Sequence, residues 1–156
     1  MDKNIFRKTE ATLYGYNELV SKIKCLELEI DDIENSYSGC GAIGYEEKTG
    51  STNKFNSSVE NEIIEKERII NNLKRDLYSK KILKEKIDST IERMNDSERK
   101  LVELRYTNRN TLSWDQVGYI LGFNPDYCRQ KLRRKIINKI SDTIFVNPYK
   151  QEKLKL

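Results

Sequence analysis

Leu121-Gly122-Phe123-Asn124-Pro125 constrains this chain more than any other stretch. Glycine takes the left-handed backbone conformation that ends a helix. Asparagine two positions on is a preferred N-cap, and proline suits the first helical position, where its missing N–H is not needed. Trp114, Val117, Ile120 and Leu121 precede the stop at helical spacing, and Ser113 with Gln116 makes a capping box ahead of them. The spacing predicts a helix of about two turns over 114–121, a turn of about three residues, and a second helix from Pro125 to about Ile140. That length pattern is a helix-turn-helix. Gly118 offers the minimal side chain that lets crossing helices approach. Val117, Leu121, Phe123, Cys128 and Leu132 are the expected shared core.

Behind this corner the charge is one-sided. From Arg129 to Lys139, six of eleven residues are Lys or Arg, and Asp126 is the nearby acid. The formal net charge is +4, but it divides into −3 over residues 1–57, 0 over 58–96 and +7 over 97–156. Concentrated positive charge implies an anionic partner. On the second helix Cys128, Leu132, Ile136 and Lys139 or Ile140 trace the buried stripe. The expected DNA-binding set is Tyr127, Arg129, Gln130, Lys131, Arg133, Arg134 and Lys135. Arginine pairs bidentately with guanine and glutamine with adenine, while flanking cations meet phosphates. A basic helix is often a solvated face or a membrane-surface helix. Here cap, stop and glycine spacing are in register, which favours DNA. Trp114 and Cys128 are expected in the core, and Asp126 at the helix dipole rather than on a base.

Upstream, Asn95 with Glu98 offers another capping box before Leu101, Val102, Leu104 and Tyr106, and Thr107-Asn108-Arg109-Asn110 breaks that helix. From about Arg7 to Tyr37, Tyr16, Leu19, Ile23, Leu26, Ile30, Ile33 and Tyr37 alternate steps of three and four, the seam of a coiled coil or helical hairpin. Residues 38–57 carry four glycines without periodicity and are expected to form a mobile loop. Ser57 to Glu60 then starts a helix whose stripe is Val59, Ile63, Ile70, Leu73 and Leu77. Lys66 interrupts it, and near residue 80 a new set, Leu83, Ile87, Ile91 and Met94, takes over. The expected layout is all-α: a hairpin over 1–80 for oligomerisation or partner contact, a helix-turn-helix domain over 81–142, and a tail over 143–156. So narrow a seam fits a partner chain as well as an intramolecular neighbour. A homodimer through residues 7–94 is expected.

Composition removes several classes. Only two prolines and seven glycines interrupt a chain that is 35% charged and 37% hydrophobic, which favours long helices. There is no histidine, the usual general base and commonest metal ligand. Cys25, Cys40 and Cys128 are odd in number and lack zinc-site spacing, which points to a reducing, cytoplasmic setting. No apolar run suits a membrane span or a signal peptide. No enzyme activity, cofactor, metal, membrane or small-molecule substrate is expected.

The stretches "MNDSERKLVELRY" (94–106), "LSWDQVGYILGF" (112–123) and "DYCRQKLRRKI" (126–136) resemble region 4 of bacterial sigma factors. With "SSVENEIIEKERIINNL" (57–73) and "ISDTIFV" (140–146), the layout is similar to the ArpU-type autolysin-regulator family of phage and prophage transcriptional regulators, neighbours of the RinA-type late activators. The resemblance implies control of late phage genes for packaging or lysis through double-stranded promoter DNA, with contact to RNA polymerase. It puts Tyr127, Arg129, Gln130, Arg133 and Arg134 at the DNA surface. Gly118 departs from the sigma pattern, where alanine is commoner, and nothing like a region 2 is present. Two rivals carry different outcomes: a small-terminase-like packaging component, and an accessory protein that grips RNA polymerase through the hairpin.

Overall fold

The fold is described from a computed structural model, which covers residues 3–36 and 58–145. The expected loop over 38–57, the Ser57-led cap, Tyr37, Cys40 and the tail beyond 145 lie outside the described residues. The helices are α1 (Lys3–Tyr14), α2 (Tyr16–Asn35), α3 (Ser58–Glu92), α4 (Asp96–Val102), α5 (Trp114–Leu121), α6 (Pro125–Tyr127) and α7 (Arg133–Ile144). Five-residue π-turns follow α4 (Glu103–Thr107) and join α6 to α7 (Cys128–Leu132). No strand occurs among the described residues, so the chain is all-α as expected.

The chain divides into two compact units, residues 1–21 with 81–156, and residues 22–80. This corrects the expected hairpin over 1–80, because the N-terminal helix belongs with the C-terminal half. Leu13 and Thr9 on α1 are fully buried, and Phe6 and Tyr16 pack on the same core. The expected start at Arg7 was also late; the helix begins at Lys3 and is interrupted at Gly15.

In the 22–80 unit Ile23 and Ile30 are buried, while Leu26, Ile33, Ile70, Leu73 and Leu77 are half-buried. Lys74 pairs with Glu34 at 2.6 Å. The helix α3 is continuous from Ser58 to Glu92, with half-buried Lys66 and Lys80 along it, and the two units divide between Lys80 and Lys81, where the apolar stripe was expected to change. Lys80 keeps its charge solvated and paired by bonding Asp76 one turn back, at 2.8 Å. Ile63 is exposed, so that end of the expected stripe is not covered.

In the other unit Ile87, Met94, Leu101, Val102, Leu104, Tyr106, Val117, Cys128, Leu132, Ile136, Ile137 and Ile140 surround Leu13. Burying each large apolar side chain stabilises by about 1.5–3 kcal/mol. The caps form as the residue types require. Asn95 accepts from Glu98 N–H, Ser113 from Gln116 N–H, and both glutamate and glutamine side chains reach back to the cap N–H. The helix breaks at Asn108, whose backbone is extended.

Candidate nucleic-acid interface

The corner between α5 and α6 is built from three backbone-level choices. Gly122 sits at φ 68° and ψ 27°, in the left-handed region. Phe123 N–H bonds Gly118 O at 3.0 Å and Gly122 N–H bonds Tyr119 O at 3.3 Å, the double closure of a Schellman motif. Asn124 Oδ1 then accepts from Asp126 N–H at 2.8 Å, and Pro125 opens the next helix. Gly118 is needed for closeness rather than for its dihedrals. A Cβ there would stand 2.8 Å from Phe123 O and 3.1 Å from Pro125 Cα. The turn at Phe123 and the first residue of α6 are together what crowds it.

The helical run that follows turns Cys128, Leu132, Ile136, Ile137 and Ile140 inward. Its π-turn, in which Arg133 N–H bonds Cys128 O five residues back, rotates the register so that two adjacent isoleucines are buried. Cys128 is a core thiol, and burial pushes its ionisation upward. Ile144 packs on the core, so the helix extends past the expected end at Ile140 into the segment expected to be tail. Phe123, expected in the core, is 39% exposed and rests against Tyr127, ring centroids 5.6 Å apart. Trp114 is half-buried on the core with the Arg105 guanidinium 4.8 Å over its ring.

The seven expected contact residues divide into two groups. Gln130, Lys131 and Arg134 are exposed and have no ion-pair or hydrogen-bond partner among the described residues. With Lys135 and Asn138 they line one shallow depression. Tyr127 is exposed beside Phe123. Arg129 is exposed and bonds Asp126 at 3.1 Å, within its own helix.

The other two are engaged by the protein. Arg133 does not stand free: its Nε and Nη2 both bond the Glu10 carboxylate of α1, at 2.6 and 2.5 Å. Its guanidinium also lies 5.2 Å over the Phe6 ring. Tyr106 Oη donates to the same carboxylate at 3.0 Å, and its ionisation is pushed up by burial first and by the Glu10 charge second. Lys135 Nζ lies 3.0 Å and Lys139 Nζ 2.6 Å from the two oxygens of Glu98, which is fully buried. Burial opposes charge on Glu98, but hydrogen bonds from Lys139 and the Asn95 N–H, with the Lys135 ammonium beside its other oxygen, outweigh it and hold the carboxyl below its usual range. Glu98 is therefore both the capping-box residue of α4 and the anchor of α7.

Expectation from sequence placed residues from about Arg7 in a hairpin and missed the packing of α1 beside residues 129–134. Lys3, Phe6, Arg7 and Glu10 form one wall of an open groove of about 790 Å³ whose other wall is Arg129, Gln130, Arg133 and Arg134. Phe6, Thr9, Leu13 and Tyr16 recur at three- and four-residue steps, the one local sign that this segment packs on a core.

No group of three or more potential metal ligands occurs among the described residues, and none of their helices is long and apolar enough to cross a membrane. No family model, curated protein or solved structure matches the chain.

Proposed function

We propose that this chain is a sequence-specific double-stranded-DNA-binding regulator of transcription, acting on phage or prophage late genes as its ArpU-type resemblance implies. One observation carries the reading. A helix launched from a left-handed glycine corner presents Gln130, Lys131 and Arg134 outward, unpaired, with Arg129 beside them. These are the donors that read base edges and meet phosphates in a major groove. Gln130 and Arg134 are the base-reading candidates, and Arg133 supports the helix from behind.

Selection of bound fragments from sheared host and phage DNA, followed by titration of the best site, tests this. Arg134→Ala and Gln130→Ala are each expected to lose about 1–3 kcal/mol of specific affinity and to relax the preference at one base position. Full retention of affinity and preference in the double variant sinks the reading. The same proposal includes a homodimer through the 22–80 unit, on which Leu28, Ile64, Ile69 and Tyr78 stay exposed. Sedimentation equilibrium should give twice the chain mass; a ring of many subunits favours a packaging role instead.

A further inference from the structure

The groove beside α1 contains more positive charge than the protein itself neutralises. Lys3, Arg7, Arg129, Arg133 and Arg134 line it, and Glu10 is its one carboxylate. Glu10 is committed to Arg133, and Arg129 to Asp126. Lys3, Arg7 and Arg134 have no carboxylate partner among the described residues. Lys3 and Arg7 are one turn apart on the α1 face that also carries Phe6 and Glu10, so they face the groove with Arg134 on the opposite wall. Like charges across an open groove repel unless a polyanion lies between them.

We propose that α1 is a backbone clamp: Lys3 and Arg7 take phosphates of the duplex strand that runs alongside residues 129–134, while the Glu10–Arg133 pair fixes α1 on the helix it serves. The inference rests on the DNA-binding reading above and adds a second element to that interface. It commits to duplex rather than single strand. Single-strand sites need free aromatic faces for base stacking, and the one aromatic ring in this groove, Phe6, is already covered by the Arg133 guanidinium. Backbone contacts carry no sequence information, so the clamp contributes affinity and leaves site preference to Gln130 and Arg134.

The test compares the full chain with Lys3→Gln/Arg7→Gln, using anisotropy of a short labelled duplex of mixed sequence over a range of salt. Both side chains are exposed, so folding is retained, and the Trp114 emission of each variant verifies it. Loss of two phosphate contacts should make the slope of log K against log salt shallower by about 1.8 and weaken binding roughly tenfold or more at moderate salt. Lys8→Gln removes an exposed charge from the same helix outside the groove and should leave the slope nearly unchanged. If wild type binds duplex and the double variant keeps its slope, the clamp is overturned and the recognition helix stands. Equal slope losses in the Lys8 control and the double variant, or tighter binding to single strand than to duplex, also overturn it. Absence of wild-type binding to any duplex overturns the DNA reading itself.

Discussion

Replacing Glu10 with alanine removes the junction between two segments 123 residues apart in the chain. Its carboxylate accepts two bonds from Arg133 and one from Tyr106. Its side chain is 13% exposed and that of Arg133 is 30% exposed. Tyr106 is 2% exposed, so its hydroxyl loses its acceptor in a largely buried setting. An orphaned buried donor costs about 1–3 kcal/mol. Arg133 retains some access to solvent, which limits its share to about 1 kcal/mol, near the upper value for solvent-accessible pairs. The expected destabilisation is therefore about 2–4 kcal/mol. Urea unfolding followed by Trp114 emission measures it, because the one tryptophan packs on the core that α1 covers. Tyr106→Phe removes the orphan in advance. In that background Glu10→Ala should cost about 1–2 kcal/mol less than in wild type, a coupling that a double-mutant cycle isolates. A Glu10→Ala cost below about 0.5 kcal/mol, the range of ordinary surface substitutions, would refute the argument that this carboxylate holds α1 to the C-terminal unit.

The two glycines of the corner should fail for different reasons. Gly118→Ala forces a Cβ against Phe123 O and Pro125, and is expected to lose about 1–3 kcal/mol by overpacking despite alanine's better helix propensity. Gly122→Ala meets nothing within 4 Å but must hold φ 68°, at a cost of about 1–2 kcal/mol; Gly122→Asn should recover part of it, as thermal melts would show. Glu98 sets an acid limb. Its folded carboxyl is held below the unfolded value of about 4.3. The stability it contributes is complete above that value and is lost as pH falls through the folded one. Glu98→Gln should be less stable at neutral pH and show a flatter acid limb in unfolding free energy against pH; an unchanged limb refutes the assignment. Cys128→Ser buries a hydroxyl where the thiol is fully enclosed, and should cost about 1–3 kcal/mol, with Cys128→Ala milder by the same urea assay.

How far the sequence carried depends on how local each feature is. The caps at Asn95, Ser113 and Asn124, the glycine stop at Gly122 and the buried stripe from Cys128 to Ile140 were all legible in advance. Each depends on hydrogen bonds within a few residues or on the helical period, and both are written directly into residue order. The crowding at Gly118 was partly legible: its small size and the approach of the next helix at Pro125 were anticipated, the Phe123 carbonyl of the turn was not.

What only the tertiary structure decided concerns which distant groups meet. Arg133 and Arg134 are adjacent and chemically equivalent, yet one is held by Glu10 and the other is free. Helical period sets Arg133 beside the buried stripe and Arg134 away from it, but the carboxylate that holds Arg133 comes from a helix 123 residues away, which no local pattern reveals. The π-turn over Cys128–Leu132 and the burial of Ile137 beside the expected stripe are likewise not foretold by propensity. Lys135 looked like one more cation of a DNA face, and Lys139 an alternative to Ile140 on the buried stripe; the buried Glu98 carboxylate draws both toward α4. Short-range order follows from the covalent chain. The identity of the free cations follows from long-range packing, because an ion pair requires two segments to be brought within a few ångströms, and sequence distance carries no information about that.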